Sequence, residues 1–376
     1  MMDESLGWLI LHLTPGLGPQ TSRRLVEHFG GVDHLLAVRP ADLHANPVVR
    51  TLLRAQMPSS WPQREAEREL ERVATLGGRV IAWGNEDYPD LLREIHAPPL
   101  VLYARGRLEC LQAPKIAVVG SRAASEYGRQ AARKFAHDLA CAGLVIVSGM
   151  AAGIDAAAHA GALDAPTGTT VAVLGSGLNV IYPPHHQDLF ARIVEQGVVV
   201  TEYPLDTKPE AFRFPARNRI VSGLTLGVVV VEAAKRSGSL ITARHALEQG
   251  REVFAVPGRV DSAKSEGTHR LLQEGARLIV DARDVLEELA PHLVDAALGT
   301  HPLEAQASPG SAELTDMEQR VLAVLDCYPM NIEELILKTT MAPNTLNETL
   351  LMLEMKGRVE SLPGSRFRAT GLTSAG

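Results

Sequence analysis

Three stretches, Gly120-Ser121-Arg122, Ser148-Gly149-Met150-Ala151-Ala152-Gly153-Ile154-Asp155 and Ser237-Gly238-Ser239, use small residues to lead from an apolar run into a helical one. Glycine at a strand end lets the backbone approach a ligand closely, the next amides point outward at a helix N-terminus, and an adjacent guanidinium can pair with an anion. Such turns suit phosphate binding and contain no catalyst. Gly175-Ser176-Gly177 is a fourth turn of this kind. None has the GxGxxG spacing, and no strand is followed by the Gly-Lys-Ser/Thr of a P-loop, so a nicotinamide or triphosphate is disfavoured and no cofactor is expected.

Between residues 207 and 244 stand seven basic residues, Lys208, Arg213, Arg217, Arg219, Lys235, Arg236 and Arg244, against Glu210 and Glu232, a balance of +5. The whole chain carries 37 Lys and Arg against 44 Asp and Glu, a net charge of −7, which argues against a uniformly basic coat. A local cationic track for a polyanion is the expectation, formed by Lys208, Arg213, Arg217, Asn218, Arg219, Lys235, Ser237 and Gly238. The turns add Gly120, Ser121, Arg122, Ser148, Gly149 and Met150. Phe212 and Phe214 flank Arg213; they can stack on bases or plug the core.

Asp155 and His159 stand four apart on one helix. They could form an acid/base pair or half a metal site, but a carboxylate at a helix start also stabilises the helix dipole, and that structural reading is preferred. His185 and His186 follow two prolines with no cysteine or carboxylate nearby, so no metal site is expected. An enzyme would need Glu202 or Glu232, at strand ends; beside arginines they serve better to order the basic loops. No catalytic residue is expected.

Elements that position these turns follow from periodicity. The chain has 376 residues, 45% apolar and 22% charged, enough for two or three domains with a large core. Apolar, β-branched runs alternate with helical segments: Arg79 to Trp83, Leu100 to Tyr103, Ile116 to Val119, Leu144 to Val147, Thr170 to Leu174, Val198 to Thr201, Gly227 to Val231, Glu252 to Val256 and Arg277 to Val280. The expected fold class is α/β, a doubly wound, Rossmann-like, mostly parallel sheet whose working edge lies beyond the strands' carboxyl ends. Ahead of it, residues 1–62 read as a small helical bundle. Two helices, Leu6 to Leu13 and Thr21 to Phe29, flank Pro15-Gly16-Leu17-Gly18-Pro19 and resemble a helix-hairpin-helix. Such a hairpin can offer amides to a phosphate, but it is also ordinary bundle architecture, the reading preferred here. A charged helix from Arg64 to Leu76 leads into the core, residues 63–290. Residues 291–312 read as a linker, and residues 313–376 as a winged helix opening on a Thr315/Glu318 capping box. That last segment balances at −3, which suits duplex DNA poorly. Three single cysteines, Cys110, Cys141 and Cys327, point to a reducing cytoplasm; no leader and no membrane span is expected.

Taken together, Ala117-Val118-Val119-Gly120-Ser121-Arg122, the Ser148 to Asp155 turn with His159, Leu174-Gly175-Ser176-Gly177-Leu178 with Tyr182-Pro183, Phe214-Pro215-Ala216-Arg217-Asn218-Arg219-Ile220, Ser237-Gly238-Ser239-Leu240-Ile241-Thr242-Ala243 and Val256-Pro257-Gly258 resemble the DNA-processing protein A family, DprA or Smf. The motifs occur in order over about Trp83 to Leu289. The resemblance implies a non-enzymatic binder of single-stranded DNA that protects incoming strands in natural transformation and helps load the RecA recombinase. It also implies a core that forms a homodimer, with Arg122 as the principal phosphate contact and the Ser148-Gly149 turn as its backbone partner. Two other functions fit the same residues less well: a phosphoribosyl-cleaving nucleotide enzyme, and a duplex-DNA regulator acting through the winged helix.

Overall fold

A computed structural model describes residues 4–52, 57–289, 315–325, 330–362 and 364–369. The expected linker, 291–312, and Cys327 lie outside the described residues. Nine strands form one sheet: β1 (Gly78–Ala82), β2 (Val101–Gly106), β3 (Lys115–Val119), β4 (Val145–Ser148), β5 (Thr170–Val173), β6 (Val198–Thr201), β7 (Gly227–Val230), β8 (Glu252–Ala255) and β9 (Arg277–Leu278). Their order is β1-β2-β6-β5-β4-β3-β7-β8-β9. From β6 to β9 all neighbours are parallel, whereas β2 runs antiparallel to both β1 and β6.

The central strands form because both faces are buried. In β7, Val228 and Val230 join one apolar cluster and Val229 the opposite one; β3 divides likewise, with Ala117 and Val119 against Ile116 and Val118. Each fully buried Val or Ile contributes about 1.5–3 kcal/mol, so the central strands are strongly held. The chain leaves β3 towards β4 and leaves β7 towards β8, on opposite sides of the β3/β7 pair. That divergence opens a crevice beyond their carboxyl ends.

Helices Glu4–Leu13, Pro19–Phe29 and Gln63–Thr75 bury Trp8, Leu9, Leu11, Leu25 and Val73 in one cluster with Val101, Tyr103, Leu174 and Leu205 of the sheet and its loops. The buried carboxylate of Glu69 accepts the Leu205 N–H at 2.6 Å, tying the third helix to the chain after β6.

The C-terminal segment is a separate winged helix. Helix Asp316–Leu322 starts with the expected capping box, the Thr315 and Glu318 side chains each accepting the other's backbone N–H. Helices Ile332–Thr339 and Pro343–Met355 follow, with a small sheet ordered β10 (Met330–Asn331), β12 (Arg366–Ala369), β11 (Val359–Leu362). Leu335, Leu346, Leu350, Leu353 and Val359 build its own core.

Candidate nucleic-acid interface

A cleft of about 790 Å³ lies at the switch point, lined by the loops after β3, β4, β5, β6 and β7. The loop after β3 is clamped from below. Ser121 donates its N–H to the Glu232 carbonyl at 2.7 Å, and its own carbonyl accepts the Ile154 N–H at 3.2 Å. Gly153, at φ +82°, makes this possible: a Cβ there would run into the carbonyl oxygens of Ser121 and Arg122. We expect Gly153→Ala to cost about 2 kcal/mol or more, from left-handed backbone and collision with peptide groups, measurable as a lowered thermal midpoint.

Held on that turn, Arg122 is exposed, with its guanidinium carbon 4.9 Å from the Phe214 ring centre. Tyr182, 42% exposed, stands against Phe214 with ring centres 5.5 Å apart. Cation and aromatics thus share one wall, which suits a strand whose phosphates need charge and whose bases need a flat face. Opposite, Gly238 is the N-cap of the helix Ser239–Glu248, whose first amides are taken up locally, the Ser239 N–H by the Ser237 hydroxyl at 3.4 Å and the Leu240 N–H by the Ser237 carbonyl at 3.2 Å. Ser237 Oγ lies 2.8 Å from Ser239 Oγ, and Asn218 Nδ2 donates to the Gly238 carbonyl at 3.3 Å, which fixes this rim.

Several residues expected to contact the ligand do internal work instead, and those expectations are corrected. Ser148 is fully buried, its hydroxyl donating to the Val118 carbonyl at 2.7 Å. Met150 is fully buried at φ +58°, with its carbonyl 3.0 Å from His186 Nδ1. Gly149 reaches the cleft, but its N–H, like that of Ala151, donates to Asp155 Oδ2, at 3.1 and 3.3 Å. The chain's own carboxylate therefore fills the anion seat of this turn, and the amide-lined grip expected there is absent. Arg217 lies in the cleft floor at 3% exposure, donating to the carbonyls of Gly149 at 2.7 Å and of Val173. Arg219 pairs with Glu202, and Arg213 pairs with Glu210 at 2.9 Å between the rings of Tyr203 and Phe212.

What remains at the surface is more economical than the segment's charge balance suggested. Gly120, Ser121, Arg122, Asn218, Ser237 and Gly238 line the cleft, and Lys208 and Lys235 are exposed outside its lining. Arg236, counted in the basic segment but left out of the expected contacts, lines the cleft and is exposed, as is Tyr182. Position in the loop after β7 could have flagged Arg236; Tyr182 had no signal beyond its neighbouring proline. Arg122, Lys208, Lys235 and Arg236 have no carboxylate partner among the described residues.

Carboxylates and imidazoles are otherwise occupied. Among the described residues Asp155 is the one carboxylate in the cleft lining, and burial raises its pKa against the opposing pull of Arg217. Neither Glu202 nor Glu232 lines the cleft. His159 is fully buried with Nδ1 2.7 Å from Thr170 Oγ1, whose own proton goes to the Ile146 carbonyl. Burial pulls the imidazole down to about 3, so it is neutral in the fold. Its pKa is depressed, so the unfolded chain binds the extra proton between pH 6.5 and about 3, and stability falls as pH falls through that window. His159→Gln should flatten that acid limb in thermal denaturation followed against pH.

Residues 79–290 match the family model for DNA recombination-mediator protein A, and residues 305–365 match the DprA winged helix domain. The chain is 40% identical to Protein Smf of Escherichia coli over 324 residues, 85% of this chain and 84% of that one. A structure of DNA processing protein A from Streptococcus pneumoniae superposes with a TM-score of 0.65 at 37% identity, covering 77% of this chain and 98% of that one. DNA processing protein A from Helicobacter pylori, whose structure was described for its single-stranded DNA binding mode, matches with a TM-score of 0.52 at 31% identity, covering 57% and 96%.

Proposed function

The chain belongs to the DNA recombination-mediator protein A family, and on that premise we propose that its switch-point cleft binds single-stranded DNA by the phosphate backbone and performs no bond chemistry. The observation that carries this reading is the set of four exposed cations without carboxylate partners, Arg122, Lys208, Lys235 and Arg236, at or near a cleft walled by Phe214 and Tyr182. Phosphate contacts bind without reading sequence, and aromatic faces accept any base. The relative from Helicobacter pylori supports the choice of ligand. Four neutralised phosphates at about 0.7 each give a slope of log affinity against log salt near −3 for a single strand, readable by fluorescence anisotropy. A slope near zero would sink the electrostatic account.

Absence of catalysis is supported by the state of the carboxylates. Asp155 holds two backbone amides and Glu202 holds Arg219, so neither is placed to activate water in the cleft. Incubation with nucleoside monophosphates should release no free base; release would favour the phosphoribosyl-cleaving alternative. The winged helix weighs against duplex recognition, since Arg368 is paired with Glu360 at 2.6 Å and its third helix exposes Leu351, Met352 and Met355.

The same reading places the protein in the cytoplasm, protecting incoming strands in transformation and helping to load RecA. Among the described residues no helix is long and apolar enough to cross a membrane. Homodimerisation through the core is supported by β9, an edge strand where Leu278 is 51% exposed, and by Val280 just beyond its end, 68% exposed. Sedimentation of the intact chain tests this last part.

A further inference from the structure

Helix Pro19–Phe29, read from the sequence as half of a helix-hairpin-helix, presents Gln20, Arg23, Arg24 and Glu27 to a groove of about 580 Å³ completed by Trp83 and His96. None of these residues belongs to the switch-point cleft. The Arg23 guanidinium lies 4.6 Å from the centre of the Trp83 ring, and that of Arg93 lies 5.4 Å from it. Gln20 Nε2 is 2.7 Å from His96 Nε2.

Donors outnumber acceptors here. Arg23 Nε and Trp83 Nε1 are both buried without a hydrogen-bond partner, and both groups can only donate. Arg23 and Arg24 have no ion-pair partner among the described residues, and Glu27 is the single carboxylate in the lining. Behind the groove, the Arg93 guanidinium also lies 5.2 Å from the centre of the Tyr88 ring. Leaving both buried donors unmet is costly, and an acceptor from outside removes that cost. A group offering several oxygens and negative charge to guanidinium and indole N–H is a phosphate.

We propose that this groove is a second phosphate-binding site, taking either a backbone phosphate of a strand already held in the cleft or the phosphate of a free nucleotide. The first source rests on the single-strand reading above; the second does not. The test uses the full chain with oligothymidylates of about 6 and about 40 nucleotides, lengths that fill one site or reach well past it. In Arg23→Gln/Arg24→Gln the long strand should bind about tenfold more weakly and lose about 1.4 from its salt slope, two contacts at about 0.7 each, while the short strand is unaffected. Arg24→Glu alone, at an exposed position, keeps the test valid if the double variant fails to fold. For the second source, dTMP should quench indole fluorescence in the natural chain and not in Trp83→Phe. Unchanged long-strand affinity and slope together with no dTMP response overturn the proposal. Arg122→Ala separates the two readings: if it leaves all strand binding intact the single-strand reading fails, and the groove then stands or falls on the dTMP response.

Discussion

Replacing Arg122 by alanine is expected to weaken single-stranded DNA binding by about tenfold to a hundredfold, as loss of a charge-assisted contact worth about 1.5–3 kcal/mol implies. The guanidinium is exposed and paired with no carboxylate, so its charge is undiminished before the ligand arrives. Its one described contact is with the Phe214 face, a cation–π interaction worth about 0.5–1 kcal/mol at an exposed site, so the thermal midpoint should move by a few degrees at most. Because the contact is to phosphate, the loss should be the same for every base composition, and the salt slope should shrink by about 0.7. Arg122→Lys should keep most of the slope but less of the affinity, since an ammonium lacks the fork that grips two oxygens. Anisotropy titrations at several salt concentrations measure all of this. Undiminished affinity in a folded Arg122→Ala protein would remove the cleft from the account.

The central strands were legible because each is buried on two faces and reads as a short β-branched run, and β6 (Val198–Thr201) has the expected limits. The turns after β3 and β7 were legible too, since a glycine or serine at a strand end has a backbone reason to be there. What the sequence hides is cancellation across distance. Arg219 meets Glu202 from the end of another strand, and Arg217 meets Gly149 from 68 residues away. A window of charges therefore counted cations that the fold neutralises or buries. Asp155 is the same lesson with the opposite sign: the turn was rightly read as an anion seat, but the anion is the chain's own.

Arg217 gives the second large effect, and it should be on folding rather than on binding. Arg217→Met removes donors from the carbonyls of Gly149 and Val173 and takes away the guanidinium whose charge opposes the effect of burial on Asp155. Breaking a buried charge arrangement from one side costs about 3–5 kcal/mol, which at about 2–4 °C per kcal/mol lowers the midpoint by roughly 10 °C. Burial pulls the guanidinium down to about 10, so it is charged at neutral pH and the loss is felt there in full. The pH dependence supplies a separate signature. Asp155 already has a raised pKa, and without Arg217 beside it burial should raise it further. A carboxyl with a folded pKa above its unfolded value binds protons more tightly in the native state, so stability rises as pH falls towards that pKa. The deficit of Arg217→Met should therefore narrow in mild acid, and Asp155→Asn in the same background should narrow it at neutral pH. Below its own midpoint the folded variant should bind single-stranded DNA within about threefold of the natural chain, because a 3% exposed side chain offers a strand little to hold. A variant that stays fully stable yet no longer binds would instead make Arg217 a direct ligand.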